Sequence, residues 1–227
     1  MPFTLDQVVP WGRTFDEYVH MFALTEDDLR LTILGCGDGP ASFNAEGTQQ
    51  GYHITSCDPI YRFSIHDLAA RFTQVYDQVM EQLHTNVRDY VWTHFRTPEE
   101  VGRHRMHAME LFLADLDQGS AEGRYIDAGL PQLPFAEKRF DIALSSHFLF
   151  LYADHFSCDF HLAAVRELCR VAHDVRIFPL QNLGGQPTAY VQAVIADVTA
   201  AGCSATIEPV PYEFQRSSNA MLHIRCD

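Results

Sequence analysis

Three glycines at alternate positions, Gly35, Gly37 and Gly39, end the apolar run LTIL, and an aspartate, Asp58, ends the next such run, YHITSC. Glycine tolerates positive φ and, lacking Cβ, lets a ligand approach the backbone closely. Where such a turn opens a helix, the free N–H groups of the first residues face that ligand. A carboxylate about 20 residues further on, at the tip of the neighbouring strand, is placed to accept ribose hydroxyls. These residues predict a nucleoside site, with Gly35, Cys36, Gly37 and Gly39 on one side and Asp58 and Pro59 on the other. The spacing is GxGxG, and Pro40 holds the place of the third glycine in the dinucleotide fingerprint GxGxxG. Nothing in this turn is arranged to cradle a pyrophosphate.

Positioning these groups requires a strand, a turn, a helix and a second strand in succession. RLTILGCGDG predicts the first strand, PASFNAEGTQQG a short helix with Pro40 in its first turn and Gly51 as its stop, and YHITSCDP the second strand. Upstream, TFDEYVHMFAL has apolar residues at helical spacing (Phe15, Tyr18, Val19, Phe22), and TEDDL predicts a further short turn of helix. Residues 63–122 change character. There SIHDLAARFTQVYDQVMEQLHTNVRDYVWTHF keeps three-to-four spacing through Val87, Tyr90 and Val91, and predicts one long helix or two in series. TPEEVGRHRMHAMELFLADLDQG predicts another, with Thr97 as N-cap and Pro98 in the first position. We read 63–122 as a helical insertion within a single domain spanning 1–227.

Alternation then resumes. GRYIDAGLPQLPF holds a strand, FDIALSSHFLFLY a buried central strand, FHLAAVRELCRVA a helix, DVRIFPL a strand, and TAYVQAVIADVTAAG a helix stopped by Gly202. SATIEPVP and NAMLHIRC are the last two strands. The pattern predicts an α/β fold with a doubly wound, mostly parallel sheet and helices on both faces. With no helix between them, the last two strands are expected to pair antiparallel.

With GxGxG after the first strand, an acid ending the second, and LPQLPFAEKRFDIALSSHFLFLY further on, the sequence resembles the class I S-adenosylmethionine-dependent methyltransferases, in particular the quinone-biosynthesis type of methyltransferase domain. The resemblance covers about residues 31–62 and resumes from 125 to the C-terminus. It implies a seven-stranded sheet with the last strand antiparallel, S-adenosyl-L-methionine as cofactor, and methyl transfer to a small-molecule acceptor. Two positions depart from the family pattern. Ile33 stands where many members have an acid two residues before the first glycine, and Gly129 about where an acid often meets the adenine amino group. Unless Asp127 is displaced into the site, backbone groups near Leu130 and Leu133 are then expected at the ring. The glycine-turn N–H groups, with Arg13 or Tyr18 from the N-terminal helix, are expected at the amino-acid end.

The same resemblance sets the end of the fourth strand against methyl and acceptor, which puts Ser146 and His147 at the reaction centre. Methyl transfer is an in-line displacement that gains from alignment and from exclusion of water. An oxygen or nitrogen that must lose a proton also benefits from a base, and histidine, with an ordinary pKa of about 6.5, suits that role. Tyr152 and His155 follow closely, as orienting or contacting groups. PYEFQRSSNA returns to the same end of the sheet and offers Tyr212, Arg216 and Asn219 to the acceptor. Tyr90, Trp92 and Phe95 of the insertion would wall the pocket as part of a lid, while a dimer surface is the rival role for these helices. The oligomeric state is left open. The spacing of His147, Asp154, His155 and His161 matches no familiar ligand motif, so no metal is expected.

Composition narrows the partners. A net charge of −14 argues against a nucleic-acid surface or an anionic membrane. No apolar run approaches the ~20 residues needed to span a bilayer, and the N-terminus lacks a signal layout, so a soluble, cytoplasmic protein is expected. The six cysteines include no CxxC pair and are expected as buried free thiols without a disulfide framework. Two other readings stay open: a noncatalytic cofactor-binding or interaction protein, because a fold does not establish activity, and a nicotinamide-dependent oxidoreductase, disfavoured by GxGxG.

Overall fold

Strands β1 (Thr32–Cys36), β2 (His53–Cys57), β3 (Tyr125–Ile126), β4 (Phe140–Ser146), β5 (Ala172–Phe178), β6 (Ser204–Pro209) and β7 (Ala220–Arg225) form one sheet in the order β3-β2-β1-β4-β5-β7-β6. β1 to β5 run parallel, and β7 pairs antiparallel with both β5 and β6. The helices are α1 (Phe15–Met21), α2 (Glu26–Leu29), α3 (Phe43–Gln49), α4 (Ile65–Thr85), α5 (Pro98–Ala121), α6 (Cys158–Val171) and α7 (Tyr190–Ala200). This computed structural model describes residues 11–226; residues 1–10, on which much of the signal-sequence reading rests, lie outside the described residues. No described helix is long and apolar enough to cross a membrane.

Side-chain alternation along the strands divides the core in two. Leu34, Cys36, Ala143, Val175 and Ile224 pack with Val165 and Leu168 of α6 and Val194 and Val198 of α7. Ile33, Ile54, Ile142 and Leu144 face the other way, onto Tyr18 and Met21 of α1 and Phe43 of α3. Burial on both faces accounts for the nearly continuous apolar runs of the central strands. Each fully buried Leu, Ile or Phe contributes about 1.5–3 kcal/mol. α4 and α5 follow β2, zip together through Leu68, Phe72, Met109, Phe112 and Leu116, and rest on Tyr125 of β3. The chain leaves β1 toward β2 on one side and reaches β4 on the other, so a crevice opens at the carboxyl ends of β1 and β4.

Four local expectations change. Gly37 and Gly39 have φ of 68° and 55°, which keeps the backbone out of the right-handed helix, so α3 starts at Phe43 and Pro40 belongs to the turn. α4 stops at Thr85 although the apolar period continues. Val87 enters a tight turn, Tyr90 bridges to Gln215, and the Val91 N–H donates to the Phe214 carbonyl (2.7 Å), so a tertiary pairing overrides the helical pattern. β4 ends at Ser146, because His147 takes φ of 52°. Finally, Cys203 and Cys226 form a disulfide where free thiols are expected. Pairing of Ser204 with Arg225 across β6 and β7 brings the two cysteines together, a proximity their 23-residue separation does not announce.

Candidate active site

The crevice between β1 and β4 holds a cavity of about 360 Å³, within the ~300–1,000 Å³ usual for small-ligand sites. Gly37 and Gly39 line it. A Cβ on Gly37 would lie 2.8 Å from the Phe148 ring. Gly35 serves differently: a Cβ there would lie 2.0 Å from the Asp38 carboxylate, so the glycine makes room for that acid rather than for a ligand. Asp38 lines the cavity, and it accepts from Tyr18 Oη and Ser56 Oγ, each at 2.6 Å. It thereby ties α1, the glycine turn and β2 together, the bracing that Ile33 does not supply. Burial raises its pKa to about 6, against the lowering by the Ser56 and Tyr18 hydrogen bonds. Sequence reading passed over Asp38 although it stands between two of the glycines. Cys36 has no place in the cavity lining: strand alternation turns its Sγ into the α6–α7 core, 3.4 Å from Cys57 Sγ.

Asp58 does reach the cavity, followed by Pro59 and Ile60. Its carboxylate accepts from the Gly39 and Ile60 N–H groups, both at 2.9 Å, and burial pushes its pKa up. The Gly37 N–H donates to the Cys57 carbonyl (2.9 Å). The glycine N–H groups expected at the amino-acid end of a ligand are thus already bonded within the protein. Across the cavity stand Gly129 and Leu130. A Cβ on Gly129 would come 2.8 Å from Pro59, which leaves no room there for an acid. Leu133 faces the core and its N–H donates to Glu167 (2.7 Å), while Asp127 pairs with Arg62 at 3.0 Å. Of Asp127, Leu130 and Leu133, Leu130 alone lines the cavity, together with apolar Phe148, Phe156 and Phe160, which the sequence reading did not single out.

Residues 11–13 cross over the glycine turn. The Ser42 N–H donates to the Arg13 carbonyl (3.0 Å), and a Cβ on Gly12 would lie 2.0 Å from the Pro40 carbonyl oxygen. Trp11, Arg13 and His147 line this cavity and also a second one, of about 100 Å³. Val79 and Leu83 of α4, Tyr90, Tyr152 and the β6–β7 loop residues Tyr212 and Phe214 wall the second cavity. The left-handed backbone at His147 costs about 1–2 kcal/mol for a residue with Cβ and is held by its N–H donating to the Phe178 carbonyl (2.7 Å). That turn sets the imidazole in the shared wall, with Nδ1 2.9 Å from Ser146 Oγ. Burial first, then the Arg13 and Arg105 charges, hold the His147 pKa well below its ordinary value, so the ring is neutral.

Behind Tyr212 lies a buried ion pair. Arg105 of α5 donates through both terminal nitrogens to Glu17 of α1, residues 1% and 0% exposed. Tyr212 Oη donates to Glu17 Oε1 (2.8 Å) and the Thr14 N–H to Oε2 (3.1 Å). Burial alone would raise the Glu17 carboxyl; the Arg105 charge and hydrogen bonds, with Arg13 nearby, bring it down to about 2. Burial and Arg105 lower the Arg13 pKa to about 10. Sequence reading missed both partners, which lie far apart in the chain. Their trace is Arg105 on the buried face of α5, four residues from Val101 and from Met109.

Tyr90, Tyr152 and Tyr212 therefore gather at the second cavity with His147 and Arg13, while Ser146 and Tyr18 line the first. Besides Gly35 and Cys36, five candidates are absent from the linings of both: Phe95 is buried in the core with Val79, Leu83 and Val101, and the other four are Trp92, Arg216, His155 and Asn219. Trp92 packs behind Tyr90 and Phe214 and donates to the Val87 carbonyl (2.9 Å). Arg216 is exposed and reaches back to the carbonyls of Arg88 and Tyr90, stitching the loop to the segment after α4. His155 is exposed at the edge of Tyr152. Asn219 is exposed, its carbonyl accepting from the Val210 N–H in the turn.

The strand order, with β7 antiparallel between β5 and β6, and the cavity over the glycine turn define the class I S-adenosylmethionine-dependent methyltransferase fold. Similar solved structures include a magnesium protoporphyrin IX methyltransferase of Synechocystis with bound S-adenosylmethionine (TM-score 0.49, 12% identity, covering 94% of this chain and 78% of that one). Another is a 1,6-didemethyltoxoflavin N1-methyltransferase of Burkholderia thailandensis (TM-score 0.47, 15% identity, covering 92% and 77%). No family model matches the chain. Over 222 residues, 97% of this chain and 97% of the relative, it is 33% identical to an uncharacterized protein of Methanocaldococcus jannaschii, and it belongs to that protein's family.

Proposed function

We propose that the protein is an S-adenosylmethionine-dependent methyltransferase acting on a small-molecule acceptor. The observation that carries this reading is a pair of adjoining cavities that share Trp11, Arg13 and His147 as a common wall. A protein that only stored the cofactor has no use for the second cavity. The larger one suits the cofactor in size and in donor set: Asp58 for the ribose, Ile60, Leu130 and Phe156 for the adenine ring, and Asp38 to complement positive charge. Bound there, S-adenosylmethionine would supply an electrophilic methyl group on a sulfonium.

The chain's own contribution at the junction is alignment and a proton acceptor. If Ser146 Oγ donates to Met21 Sδ (3.9 Å) and accepts from Nδ1–H of His147, Nε2 keeps its lone pair. A base of such low pKa serves an acceptor whose own proton is acidic. Tyr152, in the wall of the second cavity, orients that acceptor, and α4 with Tyr90 closes the cavity from the far side.

Thermal-shift and calorimetric titrations test the reading. S-adenosylmethionine and S-adenosylhomocysteine should raise Tm as ligands that bind the folded state, while NAD and NADP should not. Tighter binding of NAD, or no binding of S-adenosylhomocysteine, would overturn it.

A further inference from the structure

The two cavities differ in charge in a way that restricts what the second can hold. Arg13 lines both cavities, but in the first it stands with Asp38 and Asp58, whereas among the described residues no carboxylate lines the second. Glu17 neutralises Arg105 by direct pairing, which leaves the Arg13 guanidinium as an excess positive charge in a chain of net charge −14. Arg13 Nη1 donates to the Trp11 carbonyl, and Nε is buried without a partner among the described residues. Nε has no surface facing a cavity, but Arg13 lines both cavities, so the rest of its guanidinium can meet an anion from the second as well as from the first. His147 beside it stays neutral and supplies no counter-charge.

Shape adds a second restriction. Tyr90, Tyr152, Tyr212 and Phe214 give the second cavity aromatic walls, with Trp11 beside Arg13. At about 100 Å³ the second cavity is smaller than the ~150 Å³ apolar void that accommodates benzene, so a single ring fills it with one edge at the open mouth and a fused polycycle is disfavoured. Resting on the methyl-transfer reading above, we propose that the second cavity takes a monocyclic aromatic or heteroaromatic acid whose carboxylate pairs with Arg13, and that this is the methyl acceptor. A ring hydroxyl or ring N–H facing His147 gives its proton to the imidazole as its oxygen or nitrogen bonds to the methyl carbon. The carbon–sulfur bond breaks, and its electron pair stays on sulfur as a neutral thioether.

Calorimetry on the full chain tests this with benzoate and its uncharged counterpart benzamide, each with and without saturating S-adenosylhomocysteine. Benzoate should bind at least about ten-fold tighter than benzamide, the scale of one charge-assisted hydrogen bond, and should be retained when S-adenosylhomocysteine is present. Arg13→Gln should erase that preference. Tyr90→Leu, at a residue that lines the second cavity and not the first, should weaken both probes about five-fold and leave S-adenosylhomocysteine affinity within about two-fold. Equal binding of acid and amide, no benzoate binding at millimolar concentration, or displacement of benzoate by S-adenosylhomocysteine would each overturn the inference. If S-adenosylhomocysteine fails to bind while benzoate keeps its preference, the methyl-transfer reading falls and the anion site stands.

Discussion

Asp38 and Asp58 line one cavity with carboxyl groups raised by burial, Asp38 to about 6. A cationic ligand favours their charged forms, so S-adenosylmethionine affinity should increase from about pH 5 to about pH 7, with proton release to the buffer. Calorimetry in two buffers of different ionisation enthalpy measures that release, and Asp38→Asn should remove much of it. For the unliganded protein the sign reverses. A raised folded pKa means that the native state holds the proton more tightly, so Asp38 contributes stability below an unfolded value of about 4, and this is lost as pH rises through about 6. His147 gives a second residue-scale test: its imidazole resonances, followed by NMR, should not titrate between about pH 6 and 8, where an unperturbed ring does. The glycines and Asp58 were legible as a site because their types act locally. Asp38 was visible in GCGDG, but its role depends on the space that Gly35 leaves and on Tyr18 and Ser56 arriving from other elements.

At the scale of elements, Glu17, Arg105 and Tyr212 join α1, α5 and the β6–β7 loop behind the second cavity. Glu17→Gln leaves Arg105 buried without its counter-charge, and should lower the unfolding free energy in urea by about 3–5 kcal/mol. Combining it with Arg105→Met should restore much of that loss, because an apolar replacement removes the orphaned charge. The Glu17 pKa of about 2 lies below its unfolded value. Its contribution is therefore fully present above an unfolded pKa of about 4.3 and disappears as pH falls through about 2. The start of α5 was marked by Thr97, whose side chain caps its first turn, and the structure shows Thr14 and Ser64 capping α1 and α4 in the same way. The end of α4 was not, since it is decided by the pairing of Tyr90 and Val91 with a loop more than a hundred residues away.

For the whole molecule, the Cys203–Cys226 disulfide joins the start of β6 to the end of β7 across a separation of 23 residues, at the edge of the sheet. Loop-closure entropy of that size gives about 3 kcal/mol. Cys226→Ser, or reduction with dithiothreitol, should lower the urea midpoint accordingly and leave S-adenosylhomocysteine affinity unchanged, because the bond lies away from both cavities. The bond was hidden in the sequence for the reason it forms in the fold: antiparallel register, rather than cysteine spacing, brings the sulfurs together.

By itself the sequence determined the succession of strands and helices, the glycine turn with Asp58 beside it, and the antiparallel end of the sheet. Periodicity, caps and turn residues act within a few positions of one another, so they can be read in line. Tertiary structure decided that His147 stands between two cavities, that Cys36 faces away from them, that Glu17 neutralises Arg105, and that Arg13 keeps an unmatched charge. Those outcomes depend on contacts between segments brought together by folding, and on charges whose balance exists only once water is excluded around them.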